Sequence, residues 1–275
     1  MTGTLYIVAT PIGNLEDITL RALRILGEVP LIVAEDTRTV RKLLTHHGLR
    51  TPRLLSYTEH SHAARTPQVL DALRKGDVAL VSEAGTPAIS DPGVHLVAAA
   101  VGEGIRVVPV PGPSALIAAL AASGLSAASV RYVGFLPRTA GERRRVLVSL
   151  AGASDTLVAF EAPHRLRATL AALREALGER HIAVCRELTK LHEEIFRGTL
   201  SEALDHFASP RGEFTLVIEG AQAQSAAAST DDIDAALRRL RDRGARAKEA
   251  VQEVTQALGS PRRAVYARWL ALQDE

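Results

Sequence analysis

"VALVSEAGTPAISDPG", residues 78–93, runs four apolar residues straight into a turn that carries Gly85, Pro87, Pro92 and Gly93. The apolar run reads as a buried strand. A plain surface loop after it would need only one or two turn residues, so this much punctuation among small and acidic side chains implies close approach of something to the backbone. Outward from here the pattern repeats. "TLYIVA", "PLIVAE", "RLLSY" and "RVVPV" are further strand-like runs, separated by segments with apolar positions at helical spacing. Leu20, Leu23 and Leu26 fall on one face of the first such helix, and Val69, Leu70 and Leu73 on one face of the third. Strands alternating with helices are the mark of crossover units and a largely parallel sheet, hence an α/β protein.

"PGPSALIAALAASG" (111–124) is a helix with Pro113 near its start and Gly124 past its end. After it the alternation resumes with "RYVGFL", "DTLVAF", "HIAVCRE", "EIFRG" and "EFTLVIEG", and "HRLRATLAALREALG" is the clearest helix among them. Two α/β domains are expected, 1–115 and 122–220. "AQAQSAAASTDD" (221–232) is small, polar and aperiodic, a linker running into a capped helix start at Ser229–Asp232. Residues 233–275 hold three helical stretches. Gly244 and Gly259 end the first two, and Ser260 as N-cap with Pro261 at the first helical position starts the third. That is the outline of a helix-turn-helix unit.

Aromatic residues are only 4% of the chain against 47% apolar residues, so Ala, Leu, Val and Ile must fill the interior. The single cysteine, Cys185, excludes an internal disulfide, and its apolar setting suggests a small buried hydrophobe. No apolar run approaches the roughly 20 residues of a membrane span, and "MTGTLYIVATP" lacks a basic leader and cleavage site, so a cytoplasmic location and no membrane partner are expected. The net charge of +2 is unevenly spread. Between Arg238 and Arg268 nine basic residues face three acidic ones, and residues 131–145 hold five arginines against Glu142. Two basic patches on a near-neutral chain fit a polyanionic partner.

No glycine-rich dinucleotide fingerprint follows the first strand, where "ATPIGNLEDIT" has Gly13 alone, and no phosphate-loop Gly-Lys-Ser/Thr occurs. Of the histidines, the pair His46–His47 points two ways on a helix, and His60 and His62 lack a completing Cys or carboxylate pair, so no metal is expected. What remains is a set of tight turns at strand ends: "ATPIGN", "EDTR", "SEAGTPAISDPG" and "PVPGPSA". In open α/β sheets ligands sit at that edge. Gly85 and Gly112 permit close approach, and Ser114 with the first amides of its helix can donate to a carboxylate.

In chain order, "VATPIGNLEDIT", "AEDTR", "SEAGTPAISDPG", "VPVPGPSA", "GFLP", "FEAPHR", "CRELTKLHEE" and "RGEF" closely resemble the ribosomal RNA small-subunit methyltransferase I family of the tetrapyrrole-methylase superfamily. The resemblance covers residues 4–220, and the tail looks like the helix-turn-helix appendage of many members. It implies a two-domain α/β fold binding S-adenosylmethionine between the domains, a homodimer, and methylation of a cytidine ribose 2′-hydroxyl in the decoding region of small-subunit rRNA or the 30S subunit, with no DNA partner. Carried across motif by motif, the cofactor positions are Pro11, Ala84, Gly85, Thr86, Ile89, Ser114 and Ala115, with Glu161 and Leu188 on shorter motifs. Two positions depart from the family pattern. Glu83 stands where Asp is usual, moving a carboxylate by about one bond length, and Thr139 stands where Lys is common.

Methyl transfer to an alcohol needs in-line approach and removal of the hydroxyl proton. Carboxylates at strand ends are the candidate bases: Glu35, Asp36, Glu83, Glu161, and Glu187 beside Lys190. Asp36 is the first choice and Glu83 the second, with Arg38 or Lys190 holding a phosphate. Arg138, Arg143, Arg144, Arg145, Arg262 and Arg263 are the expected RNA contacts. The alternatives are a tetrapyrrole or other small-molecule methyltransferase of the same fold, and a non-catalytic RNA-binding assembly factor.

Overall fold

Every residue of the strands Leu31–Ala34 and Val78–Val81 is buried, which is why both read as unbroken apolar runs. They are β2 and β4 of a parallel sheet that also contains β1 (Thr4–Val8), β3 (Arg53–Ser56) and β5 (Arg106–Val110), in the order β3-β2-β4-β1-β5. The computed structural model that shows this describes residues 2–222, 230–258 and 260–272. It falls into two units, residues 1–220 and 221–275.

Helices α1 (Leu20–Glu28), α2 (Thr37–His46), α3 (His62–Leu73) and α4 (Val94–Gly102) connect the strands. From β1 to β3 the chain steps one way along the sheet and from β3 to β5 it steps back, so right-handed crossovers place the two helix pairs on opposite faces. Ala22, Ile25 and Leu26 of α1 and Val40, Leu43 and Leu44 of α2 pack on one face. Val69, Leu70 and Leu73 of α3 and Leu96 and Ala100 of α4 pack on the other. Each fully buried leucine contributes roughly 1.5–3 kcal/mol. The chain therefore leaves the neighbours β1 and β4 toward opposite faces, and that divergence opens a crevice beyond their C-terminal ends.

The second sheet contains β6 (Val130–Phe135), β7 (Thr156–Glu161), β8 (His181–Arg186), β9 (Glu194–Thr199) and β10 (Phe214–Ile218), in the order β6-β7-β10-β8-β9. It departs from the largely parallel arrangement expected, since only β6 and β7 run parallel. The reason is connection length: residues 187–193 between β8 and β9 are too few for a crossover, so those strands form a hairpin. α5 (Ala115–Ser123) covers one face, with Ala119 against Val158, Ala183, Cys185 and Val217. The other face carries α6 (Ala140–Leu150), α7 (Leu166–Leu177) and α8 (Leu200–His206). Gly124 ends α5 in the left-handed conformation, as its position suggested. Thr139, the second departure from the family pattern, caps α6 by accepting from the Glu142 amide.

The second unit packs α9 (Thr230–Asp242), α10 (Ala247–Leu258) and α11 (Arg262–Ala271) around Ile233, Leu237, Val251, Val254, Val265 and Trp269. Ser260 does not cap the last helix. Pro261 holds the cap position, and the Ser260 hydroxyl is buried without a partner. Residues 223–229 of the expected linker, including Ser229, and the expected stop Gly259 lie outside the described residues.

Candidate active site

Three of the four expected turns are tied together. Thr10 and Gly85 exchange backbone hydrogen bonds of 2.9 and 3.0 Å, joining the turn after β1 to the turn after β4. Ser82 fixes the second turn from below by donating to the carbonyls of Ala84 and Gly85, and Thr86 donates to the Pro113 carbonyl at 3.3 Å. Gly112 is needed because a Cβ there would lie 3.0 Å from the Ala9 Cβ. Pro11, Gly85, Thr86, Ser114 and Ala115 thus belong to one wall, with Ala84 and Ile89 exposed on it.

The facing wall is the β8–β9 turn. The Asn14 amide donates to Thr189 Oγ1 at 3.1 Å, and Leu188 and Ile12 share an apolar cluster with Ala115. Among the described residues the non-glycine positions with positive φ are Ala88, Ser90, Glu187 and Thr189, two in each turn. Left-handed conformations cost such residues about 1–3 kcal/mol each and persist where surrounding structure enforces them, characteristically at ligand sites.

Two polar groups fit the amino-acid end of S-adenosylmethionine. The Thr10 hydroxyl is buried with no hydrogen-bond partner, and Ser114, at the N-cap of α5, makes no side-chain cap bond, so its hydroxyl and the first amides of that helix remain for a carboxylate.

Past the ends of β2 and β4, near enough to feel one another's charge, stand Glu35, Glu83 and Asp91. Burial pushes the Glu35 carboxyl upward, helped by the charges of Glu83 and Asp36. Asp91 is pushed up to about 6, first by burial, then by repulsion from Glu35, with a bond from Ser82 pulling the other way. Sequence reasoning passed over Asp91, although it lies within the opening stretch, because its neighbours come from the turn after β2 and from the other end of its own turn.

Asp36, the first-choice base, is corrected by its surroundings. Its carboxylate caps α2 through the Arg38 amide at 2.8 Å and pairs with the Arg38 guanidinium at 2.7 Å, which holds it down to about 2. A carboxylate so engaged is a poor proton acceptor at neutral pH. Arg38 is engaged in the same pair. Lys190 is likewise neutralised, at 3.0 Å by Glu187 and 2.8 Å by Glu213, and braces the β8–β9 turn instead of facing a phosphate. The Glu161 side chain is fully buried. It accepts from Thr169 at 2.5 Å and from the Ala162 amide, and pairs with Arg165 at 3.3 Å, so only its backbone can meet a ligand.

Of the expected RNA contacts, Arg138, Arg145, Arg262 and Arg263 are exposed, and Arg144 pairs loosely with Glu175 at 3.5 Å. Arg143 turns inward, donating to the carbonyls of Pro137 and Arg138. Cys185 is buried with its thiol pushed up to about 11, the inert state expected of it. His62 does gain company the sequence did not reveal. It stacks on His95 at 4.3 Å, and with Glu59 their donor atoms lie within 4.8 Å. No described helix is long and apolar enough to cross a membrane.

Residues 4–204 match the model of the tetrapyrrole (corrin/porphyrin) methylases, and residues 227–273 match that of the RsmI C-terminal HTH domain. The ribosomal RNA small subunit methyltransferase I of Synechocystis is 46% identical over 99% of this chain and 99% of its own. That of Halalkalibacterium halodurans is 45% identical over 96% of this chain and 93% of its own. Among solved structures, the Thermus thermophilus uroporphyrin-III C-methyltransferase complexed with S-adenyl homocysteine superposes with a TM-score of 0.56 at 22% identity, covering 79% of this chain and 97% of that one. A family match over most of the first unit, a second over the tail and relatives aligned almost end to end place this chain in the ribosomal RNA small subunit methyltransferase I family of the tetrapyrrole methylases.

Proposed function

We infer that the chain is an S-adenosylmethionine-dependent methyltransferase of small-subunit rRNA that acts on a cytidine ribose 2′-hydroxyl in the decoding region, as a homodimer. The observation that carries this reading is the joining of the turns after β1, β4 and β8, beside a buried unpartnered Thr10 hydroxyl and a Ser114 that makes no cap bond, in a chain aligned nearly end to end with rRNA methyltransferases. The tetrapyrrole alternative rests on structures under 25% identical, which share the fold alone.

The cofactor supplies an electrophilic methyl group on a sulfonium. Ser114, the first amides of α5 and Thr10 would hold its carboxylate end, the backbone at Ala84–Thr86 its polar groups, and Ile89 and Leu188 its apolar flanks. Asp91 takes the hydroxyl proton, since a base with a pKa about one unit below neutrality is ionised at pH 7 yet still basic enough to assist. Glu83 is the second candidate. Asp36 and Lys190 keep the frame in place. Arg138, Arg145, Arg262 and Arg263 meet the RNA backbone.

The test is transfer of labelled methyl from S-adenosylmethionine to small subunits, and to naked rRNA, from cells lacking this protein. Labelled 2′-O-methylcytidine is expected after nuclease digestion. No label in either substrate, with cofactor binding intact, overturns the reading.

A further inference from the structure

β6 contains a bulge. The parallel register with β7 pairs Tyr132 with Val158, then Gly134 with Ala159 and Phe135 with Phe160, leaving Val133 as the extra residue. Gly134 makes this possible with φ of +69°, a conformation that any side chain would strain. In a regular strand Tyr132 and Phe135, three positions apart, would point to opposite faces. The bulge puts both beside Phe160, with ring centroids 5.4 and 5.7 Å away in edge-to-face geometry, while Val133 turns to the core under α6 and α7.

This aromatic group sits where the two sheets meet. The Tyr132 phenol lies 2.5 Å from Ser90 Oγ, in the strained turn, and a Cβ on Gly134 would come within 3.3 Å of the same hydroxyl. The charge of Asp91 is felt at that phenol. Phe207 and Phe214 are buried and Phe160 and Phe196 half-buried, but Phe135 is 55% exposed. A single exposed hydrophobe needs no explanation. One turned outward by a bulge, backed by two other rings and followed by arginines does. Arg138 is exposed and makes no ion pair among the described residues, and Arg165 and Arg143 grip the carbonyls of residues 136–138, fixing the segment beyond the shelf.

We propose that Phe135, supported by Tyr132 and Phe160, is the platform on which an unstacked base of the RNA substrate lies while the adjoining ribose enters the crevice and Arg138 meets a flanking phosphate. The inference rests on the RNA reading above and adds the subsite that reading lacks. Single-stranded RNA is recognised by this combination of aromatic faces and nearby cations. A second copy of this chain, or a flat tetrapyrrole, could also cover an exposed ring. Arg138, three residues on, and the exposed Arg145 favour a polyanionic strand over either.

The experiment compares the full-length protein with Phe135→Ala, Phe135→Leu and Phe135→Trp for methylation of small subunits, cofactor Kd, and sedimentation. The expected result is a rise in KM for RNA of about ten-fold or more in the Ala and Leu variants, rescue to within about three-fold by Trp, and unchanged cofactor Kd and oligomeric state. Phe135→Leu keeps the apolar bulk and guards against misfolding. Wild-type KM in the Leu variant, or a change of oligomeric state in the Ala variant, overturns the platform while leaving the rRNA reading intact. Absence of methylation by the wild-type protein overturns both.

Discussion

Gly13 lies so close to Lys190 that a Cβ on the glycine would sit 2.4 Å from the lysine Cγ and 3.0 Å from the Leu188 carbonyl. The turn after β1 and the β8–β9 turn are therefore held at contact by the lack of one methyl group. Gly13→Ala should push the walls apart, weaken S-adenosylmethionine binding by ten-fold or more in calorimetry, and destabilise the fold by about 1–3 kcal/mol in urea.

Asp91 and Asp36 should separate catalysis from structure. Asp91→Asn should lower kcat by about 100-fold with cofactor Kd unchanged, the loss of a general base. Asp36→Ala should lower stability as a lost helix cap and leave kcat within about three-fold. Equal kcat losses in the two variants would return the base to Asp36.

The two aspartates also predict opposite pH dependences. Asp91 titrates at about 6 in the fold against 3.8 for the free group, so the folded state binds the proton more tightly, and its contribution to stability is present below 3.8 and lost as pH rises through 6. Asp36, held at about 2, contributes stability above 3.8 that is lost as pH falls through 2. Urea midpoints from pH 4 to 7 should show Asp91→Asn gaining on the wild type as pH rises. In the wild type kcat/KM should climb through pH 6 and then level, and the Asn variant should lack that step.

Glu161 and Arg165 form a pair shielded from solvent, the carboxylate fully and the guanidinium largely, and Arg165 also holds the carbonyls of Leu136 and Pro137. Removing one partner strands a buried charge. Arg165→Ala should destabilise the first unit by about 3–5 kcal/mol, and Thr169→Val, which removes one neutral donor, by about 1 kcal/mol. Thermal unfolding of the purified variants measures both.

The strands of the first sheet were legible because buried parallel strands are written as unbroken apolar runs, as at Leu31–Ala34 and Val78–Val81. The convergence of the turns at Pro11, Gly85 and Ser114 was legible from their places at strand ends. Asp36 misled because a carboxylate two residues before an arginine looks the same whether it is a base or a cap, and only the backbone geometry of α2 decides. Asp91 stayed hidden because its proton affinity comes first from burial and then from Glu35, just past the end of β2, and neither is written in its own stretch. The β6 bulge leaves no mark beyond Gly134, and local periodicity carries no information on which strand sits between which.

That last point bears on how the chain is made. β10 is the final strand of its sheet to leave the ribosome, yet it lies in the middle, bonded on both sides and buried at every residue. Until Phe214–Ile218 emerges, β7 and β8 each offer an open edge of apolar backbone. A nascent chain stalled or truncated before this point would thus be a template for clumping, and the final strand of the α/β unit works as the keystone that ends its exposure.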